Sequence, residues 1–144
     1  LQETLRLYPP AWWADRASAT PKELGGFHIP ASTIVVFSVY VMQRDPRFFV
    51  DPERFDPDRF LPERIKQQTP GAYLPFGAGV HMCIGNTFAL MEGRLILAAL
   101  AQRFRVERAD SRPVRPKPVI TLGMADPFRV RLYARSDTAL RSIS

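Results

Sequence analysis

The run from Gly85 to Phe104 restricts the fold more than any other part of this sequence. Its apolar residues, from Phe88-Ala89-Leu90-Met91 through Leu95-Ile96-Leu97 to Leu100, leave only a narrow polar edge of Glu92, Arg94, Gln102 and Arg103. The spacing predicts one long helix. A helix that is apolar nearly all round must be covered on every side, which is more cover than a chain of 144 residues readily supplies.

Everything else is short. Leu1 to Tyr8 has helical spacing and stops at Pro9-Pro10. Ala11 to Ala19 reads as a loop entering a strand, Gly25-Gly26 as a turn, and Ser38 to Gln43 as a short helix. Phe27 to Ile29 and Thr33 to Phe37 are β-prone runs around Pro30-Ala31-Ser32, which suggests a hairpin. Between Arg44 and Pro75 six prolines break every period, so no long element is expected. The aromatics of that stretch (Phe48, Phe49, Phe55, Phe60) indicate that it packs. Beyond the long helix, Val119 to Leu122 and Phe128 to Tyr133 are strand-like. The opening residues read as the middle of an uncapped helix, so an incomplete chain is expected.

Composition excludes several classes. A single cysteine forms no intrachain disulfide, suits a reducing compartment such as the cytoplasm, and with two histidines makes a poor zinc cage. No apolar run approaches the roughly 18 residues that span a bilayer. The net charge of +6 resides entirely between Arg103 and Arg141, where ten Lys/Arg face four Asp/Glu. These cations are scattered among prolines and aliphatics without a nucleic-acid-binding motif. A solvated basic face or the docking of an acidic protein explains them better.

The chemistry concentrates in Phe76-Gly77-Ala78-Gly79-Val80-His81-Met82-Cys83-Ile84-Gly85, which runs straight into the long helix. A cysteine just ahead of a helix N-terminus meets unpaired N–H groups and the positive end of the dipole, which favour a thiolate. Gly77, Gly79 and Gly85 permit positive φ and the close approach of a flat ligand. Phe76 can shield the sulfur, and His81 can donate a hydrogen bond to an anionic group beside it. This segment resembles the haem-thiolate signature of the cytochrome P450 family, with His81 where many members carry Arg.

The resemblance extends along essentially the whole chain. It implies a mainly α fold with small β-sheets, residues 1–144 forming the C-terminal haem-binding part of one such domain. That part runs through a Glu-x-x-Arg helix, hairpin, meander, cysteine loop, long proximal helix and C-terminal strands. It implies haem b ligated by Cys83, with His81, Arg16, Phe76, Gly77, Gly79, Gly85 and Ala89 around it. Guanidinium suits a haem propionate because it bonds carboxylate through two donors, and Arg16 follows Pro9-Pro10 where the family places such a cation. Glu3 and Arg6 stand one helical turn apart; with Arg54, from Pro52-Glu53-Arg54-Phe55, they match a buried structural triad. Trp12, Trp13, Val119, Ile120 and Thr121 are candidates for an apolar substrate pocket. Gln43 occupies the His position of a His-Arg-Asp-Pro motif. His28 reads as an ordinary strand residue, and Glu92 is assigned no chemistry.

The activity implied is insertion of one oxygen atom from O2 into a lipophilic substrate, with electrons from a ferredoxin, flavodoxin or reductase. A peroxygenase or rearrangement enzyme of the same fold, or a non-catalytic haem-thiolate sensor or decayed fragment, are the alternatives. The oxygen-activating residues of the family lie outside this sequence, so the isolated chain is expected to fold poorly and not to turn over substrate.

Overall fold

The computed structural model describes residues 1–135. Helix α1 (Gln2–Leu7) leads into strand β1 (Ala14–Ala17), then β2 (Lys22–Leu24), β3 (Phe27–Ile29) and β4 (Ile34–Phe37). Helix α2 (Val39–Met42), a 3₁₀ turn (Pro57–Phe60) and α3 (Pro62–Ile65) follow. A second 3₁₀ turn (Gly79–His81) precedes the long helix α4 (Asn86–Arg103), and β5 (Phe104–Arg108), β6 (Pro116–Pro118), β7 (Leu122–Met124) and β8 (Val130–Ala134) complete the order.

The strands form four antiparallel pairs: β1 with β4, β2 with β3, β5 with β8 and β6 with β7. The hairpin expected around Pro30-Ala31-Ser32 is not formed. Instead β3 turns back on β2 across Gly25-Gly26, both at positive φ (+59° and +83°), which glycine adopts without a Cβ penalty. Pro30 has no N–H to contribute to a ladder. β4 therefore pairs with β1, Arg16 opposite Val35, and Ser18 and Thr33 close that ladder. Val119 to Leu122 is likewise a turn for most of its length. The Val119 N–H donates to Thr121 O at 3.3 Å, and only Leu122 enters β7.

The buried centre lies where α1 meets α2 and the proline-rich meander, and it is unusually polar. Arg6, Gln43 and Glu3 are its largest fully buried side chains, beside Leu7, Val39, Phe49 and Ala72. Burial of such groups requires partners, and they have them. Arg6 Nε and Nη2 donate to the two Glu3 carboxylate oxygens at 2.7 and 2.8 Å, and its Nη1 donates to Gln43 O at 2.7 Å. The guanidinium also stacks 5.1 Å from the centre of the Phe49 ring. Helix α4 contributes no residue to this core; Phe88, Leu95 and Ile96 stand more than half exposed.

Candidate functional site

Five of the eight residues expected around the cofactor converge. A cavity of about 620 Å³ is lined by Cys83, His81, Arg16, Phe76 and Gly77, with apolar walls that include Trp13 and Phe37. It lies between the β1–β4 ladder and the cysteine loop. The loop is held shut by the Cys83 N–H, which donates to Phe76 O at 2.8 Å. Gly77 sits at φ +71°, and a Cβ there would come within 3.2 Å of His81 O. The positive φ and the tight contact both favour glycine at that position. A Cβ on Gly85, by contrast, would meet the Cys83 sulfur at an ordinary 3.8 Å. Cys83 itself is exposed, three residues ahead of the first residue of α4.

Gly79, at φ +61°, opens the 3₁₀ turn, and Ala89 lies in α4 with its N–H on Gly85 O; none of Gly79, Gly85 and Ala89 lines the cavity. Of the two tryptophans only Trp13 faces it. Trp12 instead donates from Nε1 to Val119 O at 2.8 Å, and Leu122 N–H donates to Pro10 O at 2.9 Å. The tip of the β6–β7 hairpin is thereby tied to the segment that precedes β1. Ile120 projects from that tip, 93% exposed.

The charge cluster departs from expectation in one member. Arg54 supplies only its backbone carbonyl, which accepts from Arg6 Nη2 at 3.2 Å, and its side chain is exposed. The second cation at Glu3 is Arg59, whose Nε lies 3.4 Å from Oε1. Arg59 reaches inward because the 3₁₀ turn at Pro57–Phe60 packs on α1, and Asp56 N–H anchors its start by donating to Glu3 Oε1 at 2.9 Å. The sequence carries the signal twice, as Pro52-Glu53-Arg54-Phe55 and again as Pro57-Asp58-Arg59-Phe60. Only the second copy lies in a turn that packs on α1.

Two further residues escaped sequence reasoning. Gln43 is fully buried and hydrogen-bonded at every polar atom. Tyr73, half-buried, donates to Gln2 O at 3.2 Å; burial and the neighbouring Glu3 carboxylate hold its phenol well above the ordinary range.

An apolar cleft walled by aromatics, with one thiol at its rim and two cationic or protonatable side chains facing in, fits a flat apolar cofactor bearing acidic substituents. Haem has that chemistry, so the residues present fit it. The sequence comparisons bear on the same question. Residues 1–127 match the family model described as Cytochrome P450. Cyclooctat-9-en-7-ol 5-monooxygenase of Streptomyces melanosporofaciens is 48% identical over 122 residues, 85% of this chain and 25% of that protein. Cyclooctatin synthase of the same organism is 47% identical over 128 residues, 89% of this chain and 28% of that protein. Among solved structures, retinoic acid-bound cyanobacterial CYP120A1 superposes with a TM-score of 0.87 at 32% identity, covering 93% of this chain and 31% of that one. This chain belongs to the cytochrome P450 family, whose members use haem. It spans about a quarter of the length of the curated relatives that it matches.

Proposed function

We propose that the chain forms the iron-ligating side of a haem-thiolate monooxygenase, with Cys83 as the ligand to haem b. The observation that carries this reading is the shared cavity of Cys83, Arg16 and His81. Arg16 and His81 are the side chains suited to the two acidic substituents of the cofactor, one as a guanidinium fork and one as a ring N–H donor. The Cys83–Phe76 hydrogen bond holds the cysteine loop beside the Phe76 ring. A thiolate ligand pushes electron density onto iron and favours O–O cleavage, which is the chemistry that the haem supplies when bound.

The activity is insertion of one atom of O2 into a lipophilic substrate. Trp13 on the cavity wall and Ile120 and Thr121 on the tied hairpin are the apolar contacts this chain offers it. Cyclooctat-9-en-7-ol in the name of one relative and pentalenene in the name of another, Pentalenene oxygenase, support that class of substrate. Electrons come from an acidic ferredoxin, flavodoxin or reductase domain. Arg105, Arg112 and Arg115 are each paired with an acid, whereas Lys117, Arg129 and Arg131 are exposed and have no acidic partner among the described residues. The lone cysteine supports a reducing, cytoplasmic setting; among the described residues no helix is long and apolar enough to cross a membrane.

The test is spectroscopic. The full-length protein, expressed with haem, reduced and exposed to carbon monoxide, is expected to show a strongly red-shifted Soret band that Cys83→Ser abolishes. A band typical of a neutral ligand, or a folded protein that takes up no haem, overturns the proposal.

A further inference from the structure

Gln43 stands at the junction of three segments. Its side-chain nitrogen donates to Leu5 O at 3.1 Å and to Arg6 O at 2.9 Å, near the C-terminal end of α1. Its side-chain oxygen accepts from Leu74 N–H at 2.8 Å. Its own carbonyl accepts from Arg6 Nη1, and its N–H donates to Val39 O at 2.9 Å. The residue is wholly buried, and all its polar groups are used.

The bond to Leu74 reaches the site through very little chain. Pro75 follows, buried and with φ fixed by its ring. Next comes Phe76, whose carbonyl receives the Cys83 N–H. Leu74, Pro75 and Phe76 all line the cavity. The amide of Gln43 therefore ties Arg6 of the buried charge cluster directly to Leu74, next to Tyr73, whose hydroxyl reaches Gln2 O, at the start of the segment that closes over the cysteine. No apolar residue of that volume provides it, because the Leu74 N–H would be left without an acceptor.

We propose that Gln43 is a positioning residue for Cys83: by fixing Leu74 it sets where Phe76 O meets the Cys83 amide, and so how the sulfur is presented to the cofactor. The inference rests on the reading of Cys83 as the iron ligand for its spectroscopic consequence, but not for its structural one.

The test uses the full-length holoprotein and two variants. Gln43→Met keeps the volume and removes both donors and the acceptor. Gln43→His, as a neutral imidazole, keeps one donor and one acceptor. Hydrogen exchange is followed over the peptide from Leu74 to Cys83, against the β5–β8 pair as reference, together with the fraction of thiolate-type carbon monoxide band. In Gln43→Met, exchange at Leu74 and Cys83 is expected to rise about tenfold, the effect of losing one such bond, with β5–β8 unchanged and the thiolate-type band reduced by at least about half. Gln43→His is expected to restore both. Should Gln43→Met fail to accumulate, Gln43→Asn, which retains the amide but falls one methylene short of Leu74, replaces it. Wild-type exchange in the loop of the variant that lacks the bond overturns the proposal, as does a uniform rise that includes β5–β8. A wild-type protein without the thiolate band overturns the Cys83 reading alone, and the exchange data then decide the role of Gln43.

Discussion

Arg59 approaches Glu3 with its Nε 3.4 Å from Oε1, and its side chain is only 12% exposed. Glu3 thus holds two cations, because Arg6 already bonds both of its oxygens. Breaking a buried ion pair costs roughly 3–5 kcal/mol when the remaining charge is left bare. In Arg59→Ala the Glu3 carboxylate keeps Arg6, so a smaller loss of about 2 kcal/mol is expected. Glu3→Ala strands both arginines and should reach the full range. Arg54→Ala, which removes an exposed side chain and leaves the carbonyl in place, should stay within about 0.5 kcal/mol. Denaturant unfolding of the three holoproteins ranks them, and equal losses for Arg54 and Arg59 would contradict the geometry.

Gly77→Ala places a methyl group at φ +71° and within 3.2 Å of His81 O. Strain of that kind costs about 1–3 kcal/mol, and here it falls on the turn that leads to the cysteine. The variant should lose thiolate-type carbon monoxide absorbance well before it loses overall helicity. Gly85→Ala, whose Cβ meets the sulfur at an ordinary distance, should lose far less.

Tyr73 makes the fold sensitive to alkali. Its phenol titrates above its free value of 10.0 because burial, and then the charge on Glu3, disfavour the phenolate. A pKa raised on folding means that the folded state holds the proton more tightly. The contribution is complete below pH 10 and drains away as the pH rises beyond it. Tyr73→Phe forfeits one hydrogen bond, about 1 kcal/mol, and should flatten the fall in stability above pH 10. Melting temperatures measured from pH 8 to pH 11 provide the comparison.

Trp12→Phe keeps an aromatic, if smaller, ring and removes the Nε1 donor to Val119 O. About 1 kcal/mol of tethering is lost, localised to the β6–β7 tip. Faster amide exchange at Leu122, and altered binding of bulky substrates with an unchanged Soret band, are the expected readouts.

The 144-residue chain expressed alone should unfold broadly and bind a dye for exposed apolar surface, because α4 presents Phe88, Leu95, Ile96 and Leu97 at half exposure or more. A sharp, cooperative thermal transition would contradict this.

The long helix was legible to within a residue, since an uninterrupted apolar run bounded by Gly85 leaves little choice. So was the cysteine loop, where glycine spacing and chemistry coincide. Strand pairing was not. The sequence shows that Phe27 to Ile29 and Ile34 to Phe37 are β-prone, but their partners depend on which turn closes, and the two glycines at 25 and 26 close a tighter one than Pro30-Ala31-Ser32. The choice between Arg54 and Arg59 was equally hidden. Two near-identical tetrapeptides differ only in whether the surrounding backbone turns them toward α1. Gln43 was hidden too, because a neutral amide at the end of a short helix gives no sign of its burial. Its importance lies entirely in bonds to residues far along the chain.

The stretch between Arg44 and Tyr73 is fastened at its base by Gln43 and midway by Glu3, with Phe49 and Ala72 buried near its two ends. From Lys66 to Gly71 it runs largely over the surface. Length is therefore cheap there and expensive at the two fasteners: residues can be added or removed near Gln67 without disturbing the cysteine, whereas a shift of one position at Asp56 or Leu74 would mismatch every bond at once. Variation among relatives should gather in that outer bend as insertions and deletions, and a tag or a second module spliced into it should leave the haem side intact.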